Sequence, residues 1–386
     1  MSSHVKADNL YVDSILRKIV AIVIEGGAEF HPSLLIVEKD GEFALHSTMS
    51  LSQEGNDNCD TQLCRLPREM LLPTNGVEWQ AYADQLQLIT LPDHLSPIQE
   101  ELFHLHVELY NATSKLKKSM KQHPLPLLLE HQDMFRAVLQ VQPERKIDVS
   151  LANQFIKTHH CWLDDVSTLT DGTNQEINPD SGEWAIFPIL DFLNNHHKGS
   201  TFKVDDSSVW IPISRPSNTS ECFLRYGGRR DVLDYALGMG YLDQTTPFAH
   251  SAPFVTELKN LGVLRIEALS SSPKSSFDPP RVQFTDEGIQ LSHFTCHRNK
   301  PKRSLLTFSL AIEGLSLRSG GSPSDAKELV SIATKALLQE NLTRLENLQI
   351  AAKPFVCNWP SAQLLIDASR RQASIFMDVL SSNSCR

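Results

Sequence analysis

The chain has 386 residues, and 41% of them are hydrophobic, which is enough for about two or three lobes with cores of their own and excludes a disordered protein. The net charge of −10 disfavours long-range attraction to nucleic-acid phosphates and favours cationic or neutral partners. The first residues lack a basic stretch followed by an apolar run, and no apolar segment approaches the ~20 residues that span a bilayer. We therefore expect a cytoplasmic protein with neither a nucleic-acid nor a membrane partner.

The seven cysteines are odd in number and scattered along the sequence, which disfavours a disulfide framework. They lie at positions 59, 64, 161, 222, 296, 357 and 385.

The first apolar segment, from Ser14 to Glu25, contains a β-branched run at Ile19–Ile24. This composition predicts a short strand. The strand is followed by Gly26 and Gly27, and glycines allow another group to approach the backbone closely.

Two further strands are predicted at Leu34–Val37 and Phe43–Leu45. The residues Lys39-Asp40-Gly41 between them predict a hairpin, because Asp-Gly pairs favour the tight turns that join antiparallel strands.

From about Ala81 to Asp180 the pattern becomes helical. Ser96 is a predicted N-cap, followed by Pro97 at the first helical position and Gln99 at the third. The apolar residues that follow recur at helical spacing, at Ile98, Leu102, Leu105 and Leu109.

Three features lie close together between Trp184 and Tyr241. A short apolar helix is predicted to end at the side-chain amides of Asn194 and Asn195, a strand is predicted to end at Tyr226, and a Gly-Tyr pair follows Met239.

In order and spacing, these motifs resemble the C-terminal half of a SET domain, in the branch of the Rubisco large-subunit lysine methyltransferases. That family has Asp-x-x-Asn-His, then Tyr-Gly, then Tyr-Gly-Phe. The matching positions here are Asp191, Asn194, Tyr226, Gly227, Gly240 and Tyr241. Asn195 replaces the family's histidine and Tyr241 its phenylalanine, and a Ser-Arg pair common in the family is absent.

The resemblance implies an α+β fold, in which a SET core of short curved sheets is split by a helical insertion and followed by a mostly helical domain. The expected division is 14–80 and 181–250 for the two halves of the core, 81–180 for the insertion and loop, and 251–386 for a C-terminal domain resembling a substrate-binding domain.

Two amphipathic patterns support that C-terminal domain. The first begins with a capping pattern at Asp325 and Glu328 and continues through Leu329, Ile332, Ala333, Ala336, Leu337 and Leu345. The second begins near Ser361 and continues through Leu364, Leu365, Ala368, Ile375, Phe376 and Val379.

The function implied by the resemblance is methyl transfer from S-adenosyl-L-methionine to a lysine of a protein substrate, with histidine as an open alternative acceptor. Tyr226 would be catalytic and Tyr241 would line the substrate channel. The residues implied to bind the cofactor are Glu25, Gly26, Gly27, Asp191, Asn194 and Asn195.

Two other functions remain open at this stage. Asn195, the missing Ser-Arg pair and the uncertain glycine turn favour a degenerate SET-like module that binds a protein partner without turnover. A metal-dependent hydrolase would use the histidine and cysteine groups at 159–161 and 293–297. These residue types are zinc ligands, but neither group supplies four positions that converge, so no metal site is predicted.

Overall fold

The computed structural model describes residues 4–48, 61–143, 149–163, 183–215, 218–226, 230–259, 261–268 and 279–384. The chain divides into two compact units. Unit 1 is Met1–Met120 with Asp148–Tyr226, and unit 2 is Lys121–Ile147 with Gly227–Arg386. Each unit contains helices and small sheets, so the predicted α+β class is confirmed.

The helices, in chain order, are α1 (Leu10–Glu25), α2 (Pro97–Ala112), α3 (Lys115–Gln122), α4 (Leu125–Glu130), α5 (Gln132–Val141), α6 (Leu151–Lys157), α7 (Val232–Met239), α8 (Pro301–Arg318), α9 (Pro323–Ala352) and α10 (Pro360–Ser384). Single turns of 3-10 helix lie at Arg68–Met70, Leu190–Phe192 and Lys353–Phe355.

The strands of unit 1 are β1 (Val5–Ala7), β2 (Glu29–Phe30), β3 (Leu34–Lys39), β4 (Glu42–Ser47), β5 (Gln62–Pro67), β6 (Leu72–Pro73), β7 (Glu78–Tyr82), β8 (Gln85–Thr90), β9 (His160–Leu163), β10 (Glu183–Ile186), β11 (Asn194–Ser200), β12 (Lys203–Val204), β13 (Ser208–Pro212) and β14 (Phe223–Leu224). They form small sheets ordered β1-β3-β4, β12-β13-β5-β2, β6-β10-β9, β7-β8 and β11-β14.

The strands of unit 2 are β15 (Phe248–His250), β16 (Phe254–Leu258), β17 (Gly262–Ile266), β18 (Val282–Thr285), β19 (Gly288–Leu291) and β20 (Thr295–His297). They form a four-stranded sheet, β16-β17-β19-β18, and a two-stranded pair, β15-β20. The C-terminal region therefore contains two sheets in addition to the helices that the sequence predicted.

The prediction of a strand at Ile19–Ile24 is wrong, because these residues belong to α1. Asn9 caps the helix by accepting a hydrogen bond of 2.9 Å from the amide of Tyr11. Burial at helical spacing outweighs the β preference of the branched side chains. The buried residues are Val12, Ile15, Leu16, Ile19, Val20 and Val23.

The hairpin and the capping box are confirmed. Asp40 and Gly41 join β3 to β4, and both have positive φ, 55° and 78°, as the tight hairpin turn requires. Ser96 and Gln99 exchange the two hydrogen bonds of a capping box at the start of α2.

The prediction of a short apolar helix after Trp184 is also wrong. The segment is instead β10, a single 3-10 turn at Leu190–Phe192, and then β11. Pro188 has no amide hydrogen to donate, and Ile189 has a φ of 68°, so a continuous helix cannot run through this point.

The two predicted C-terminal helices are confirmed as α9 and α10. The N-cap of α9 is Ser322, with Asp325 at its third position, three residues earlier than the predicted capping pattern. Ile332 belongs to α9 but is 58% exposed and lies outside the core.

Unit 2 combines 121–147 with the chain from Gly227 onwards, and the division expected from the sequence stays a prediction. Contacts with later residues account for this: Gln142 donates a hydrogen bond of 2.8 Å to Asp234, and α5 packs against α9.

Candidate functional site

The residues expected at the centre of the site meet where two strands of unit 1 run side by side. β11 and β14 pair in parallel, with Asn194 opposite Phe223 and Asn195 opposite Leu224. The side-chain oxygen of Asn195 accepts a hydrogen bond of 2.9 Å from the backbone amide of Tyr226. The phenol of Tyr226 donates to the carbonyl of Leu193. Two contacts therefore fix Tyr226 to the segment that carries the paired asparagines.

Asn194 is exposed rather than buried. Its amide nitrogen donates hydrogen bonds of 2.8 Å to Oε1 of Glu221 and 3.3 Å to the carbonyl of Phe43. Glu221 was not singled out from the sequence, because it lies five residues before Tyr226 in a segment without a recognisable motif. The site thus has a carboxylate beside the asparagine that is expected to contact the cofactor.

Asp191 lies in the 3-10 turn before β11, and its side chain is only 1% exposed. Its Oδ2 accepts a hydrogen bond of 2.9 Å from the phenol of Tyr110 and lies 3.8 Å from Nδ1 of His159. Burial raises the pKa of Asp191 to about 7, although the Tyr110 hydrogen bond lowers it. The predicted role of Asp191 in cofactor binding stays a prediction.

The histidines near Asp191 are neutral at physiological pH. Burial lowers the pKa of His159 to about 3 and that of His106 to about 4. The ring of His159 packs against Tyr110, with centroids 4.8 Å apart, and against Phe155. The sequence held one signal for this cluster, since His106 and Tyr110 are four residues apart on α2 and share a face.

The turn at Glu25-Gly26-Gly27 ends a helix and does not follow a strand. The amide of Gly26 bonds to the carbonyl of Ile22, and Gly27 has a φ of 93°. A Cβ atom on Gly26 would overlap the thioether of Met70, so the close approach that this glycine permits is made by a protein side chain. Helix termination and packing account for both glycines without a ligand, so their role in cofactor binding stays a prediction.

Tyr241 belongs to unit 2, just after α7. Gly240 ends that helix in the left-handed conformation, with a φ of 73°. The ring of Tyr241 packs against Tyr235, with centroids 5.5 Å apart. Its role in a substrate channel stays a prediction, and Gly227, the partner of Tyr226 in the motif, lies outside the described residues.

The residues suggested as metal ligands have other surroundings. His160 stacks on Trp184, with centroids 4.3 Å apart, and Cys296 is buried in the core of unit 2. Across the described ranges, no group of three or more His, Cys, Asp or Glu side chains is placed to hold a metal ion. Within the same ranges, no helix is both long enough and apolar enough to cross a bilayer.

No model of a known protein family matches the chain, and no curated protein does. Among solved structures, the chain is similar to the SET domain of LSMT bound to lysine and AdoHcy, with a TM-score of 0.40, 9% identity, and coverage of 96% of this chain and 91% of that chain. It is also similar to Rubisco LSMT bound to sinefungin and monomethyllysine, with a TM-score of 0.40, 10% identity, and coverage of 96% and 92%. Rubisco LSMT bound to AdoMet gives a TM-score of 0.37, 9% identity, and the same coverage. Because these likenesses are distant, the chemistry of this chain has to be inferred from its own residues.

Proposed function

We propose that the chain is a SET-type methyltransferase that moves a methyl group from S-adenosyl-L-methionine to a lysine side chain of a protein. The observation that carries the proposal is the fixed arrangement of Asn195, Tyr226 and Leu193. Residues 31 positions apart in sequence are joined by a hydrogen bond from the Tyr226 amide to Asn195. The motifs at Asn195 and Tyr226 therefore lie side by side in unit 1, which supports the proposal.

The chemistry requires an in-line approach by a neutral amine and needs no covalent intermediate on the protein. Bound S-adenosyl-L-methionine would supply the methyl group on its sulfonium. The phenol of Tyr226 donates a hydrogen bond to the carbonyl of Leu193, and a phenolic oxygen can also accept a hydrogen bond, in this case from an amine N–H. Holding the amine in this way lowers the barrier by fixing its orientation, and desolvation lowers the pKa of the incoming lysine.

The cofactor would be held by Asn194 and the backbone of β11. Asn194 is exposed and lies 2.8 Å from Oε1 of Glu221, so an amide and a carboxylate face the same space. The carboxylate of Glu221 suits a ligand that carries an ammonium group, because a carboxylate accepts its stronger hydrogen bonds from charged donors. The turn at Gly26 fits less well, since Met70 fills the space beside it.

Two measurements test the proposal. Calorimetric titration of the purified chain with S-adenosyl-L-methionine is expected to show stoichiometric binding. Labelled methyl groups are then expected to enter protein in a cell extract that lacks the endogenous enzyme, and amino-acid analysis of the product separates methyl-lysine from methyl-histidine. Absence of cofactor binding would contradict the proposal.

A second candidate is a SET-like module that binds a protein partner without turnover. It is favoured by Asn195, which stands where the SET signature has histidine, and by Met70, which occupies the space beside Gly26. The titration discriminates between the two candidates, because this module would capture a partner and show no affinity for the cofactor.

We further propose a cytoplasmic location and a lysine-bearing protein as the partner. In the part of the chain that the structure describes, Cys64, Cys222, Cys296 and Cys357 are thiols outside any disulfide. Free thiols are typical of a reducing compartment. The acidic net charge favours a cationic substrate segment.

A further inference from the structure

A second candidate site lies in unit 2, where the β20 strand meets the start of α8. A cavity of about 170 Å³ opens here, lined by His293, Phe294, Thr295 and His297 and by residues in the first turns of α8. None of its lining residues has a role in the proposed methyl transfer.

The lining of this cavity is cationic. Lys300 and Arg303 both contribute to it, and none of the lining residues among the described part of the chain carries a carboxylate. They belong to the run Arg298-Asn-Lys-Pro-Lys-Arg303, which has four basic residues in six positions of a chain whose net charge is −10. A concave surface lined by one sign of charge concentrates ligands of the opposite sign.

Several polar side chains of the cavity are held in place by the fold. His293 and His297 line the cavity and are only 4% and 7% exposed. The hydroxyl of Ser304 accepts a hydrogen bond of 2.8 Å from the amide of His297, and that of Thr295 lies 2.9 Å from Nδ1 of His250. The wall is therefore preorganised, and Lys300 and Arg303 are exposed beside it.

Part of the cavity lining is apolar. Phe294, Leu306 and Pro280 line it beside the polar groups, and Leu306 is 56% exposed. At about 170 Å³, the cavity has room for a phosphoryl group and a short carbon substituent.

From the charge, the fixed polar wall and the size of this cavity, we propose that it binds a phosphomonoester. Such a group carries a charge of about −1.5 to −2 at neutral pH and three acceptor oxygens. Lys300 and Arg303 would supply charge-assisted hydrogen bonds, and Thr307 on α8 a hydroxyl. The apolar side chains of the lining would contact the carbon that bears the phosphate.

This proposal is tested by titrating the full chain into inorganic phosphate and into O-phosphoserine, with the phosphorus NMR linewidth of each probe as the signal. Binding of both probes is expected, and Arg303→Gln and Lys300→Gln are each expected to weaken it roughly tenfold. Tighter binding of O-phosphoserine would identify an ester as the ligand, whereas equal binding would show that free phosphate suffices.

Lys302→Gln is the matched control, because Lys302 lies in the same basic run and is exposed but does not line the cavity. It removes the same charge and is expected to leave the linewidths unchanged. Equal weakening by all three variants, or no binding of either probe at millimolar concentration, would overturn the proposal. Because the titration needs neither S-adenosyl-L-methionine nor a protein substrate, its result is independent of the proposed methyl transfer.

Discussion

The phenol of Tyr110 donates a hydrogen bond of 2.9 Å to Oδ2 of Asp191, and this contact joins α2 to the turn that precedes the paired asparagines. Both side chains are buried, so the bond is protected from water. The insertion helix thereby takes part in positioning the site, although none of its residues belongs to the motifs that resemble the SET signature.

Replacing the carboxylate of Asp191 is expected to change how stability depends on pH. The pKa of this group is raised to about 7 in the folded chain, so between pH 4 and 7 the folded chain keeps a proton that the unfolded chain has lost. The free energy of unfolding of the wild type therefore decreases as pH rises through this window. Asp191→Asn does not titrate, so relative to wild type it should gain stability over the window, by on the order of a few kcal/mol.

Urea unfolding at several pH values, followed by tryptophan fluorescence, checks this. Trp79, Trp184 and Trp210 all lie in unit 1 and report on its unfolding. Asp93→Asn makes the same chemical change at an exposed position and serves as the control. A constant difference between Asp191→Asn and wild type from pH 4 to 7 would contradict the expectation.

Removing the side-chain amide of Asn194 is expected to weaken cofactor binding. Asn194→Ala leaves any group that the amide contacts without its partner, which costs ~1–3 kcal/mol, or roughly 5- to 150-fold in affinity. Calorimetric titration with S-adenosyl-L-methionine measures the change. Gln87→Ala, at an exposed position on β8, is the matched amide control. Wild-type affinity for S-adenosyl-L-methionine in Asn194→Ala would show that the cofactor does not bind at the start of β11.

Tyr226→Phe is expected to separate turnover from binding. The change keeps the ring and removes the hydroxyl, together with its hydrogen bond to the carbonyl of Leu193. Cofactor affinity should hardly change, while methyl incorporation falls at least about tenfold, since ~1.4 kcal/mol of lost transition-state stabilisation is a factor of ten. Tyr82→Phe alters a tyrosine that is 67% exposed and should have no effect. Equal incorporation by wild type and Tyr226→Phe would exclude a catalytic hydroxyl.

Asn341 is expected to be important for the stability of unit 2. It is buried in α9, where its oxygen accepts from the amide of Ala252 and its nitrogen donates to Ser251 and Leu337, each at 2.9 Å. Asn341→Ala removes the acceptor of the buried Ala252 amide and should lower the free energy of unfolding by about 1–3 kcal/mol.

Hydrogen exchange of the backbone amides in unit 2 measures this effect locally. Faster exchange is expected at Ala252 in Asn341→Ala. The control is Gln339→Ala, which shortens an exposed amide two residues away on the same helix. Similar protection in the two variants would show that the Asn341 contacts contribute little.

Local chemistry predicted those elements whose signals lie within a few residues of one another. The hairpin at Asp40-Gly41 and the capping box at Ser96 are of this kind, and both are confirmed. The strand predicted at Ile19–Ile24 is wrong because the β-branched composition of this run favours a strand, whereas the buried residues follow a helical spacing that begins upstream, at Val12. Tyr110 was missed because its partner, Asp191, is 81 residues away and no local pattern links them.

The composition of unit 2 has a consequence for synthesis on the ribosome. α5 packs against α9, and Arg344 bonds to the carbonyl of Gln140, 204 residues earlier in the chain. At about 5–20 residues per second, the apolar face of α5 emerges roughly 10–40 s before its partner exists. During that interval Met134, Val138 and Val141 lack the part of the unit 2 core that α9 supplies. A nascent chain stopped between these two helices therefore exposes apolar surface that a chaperone or a protease could bind.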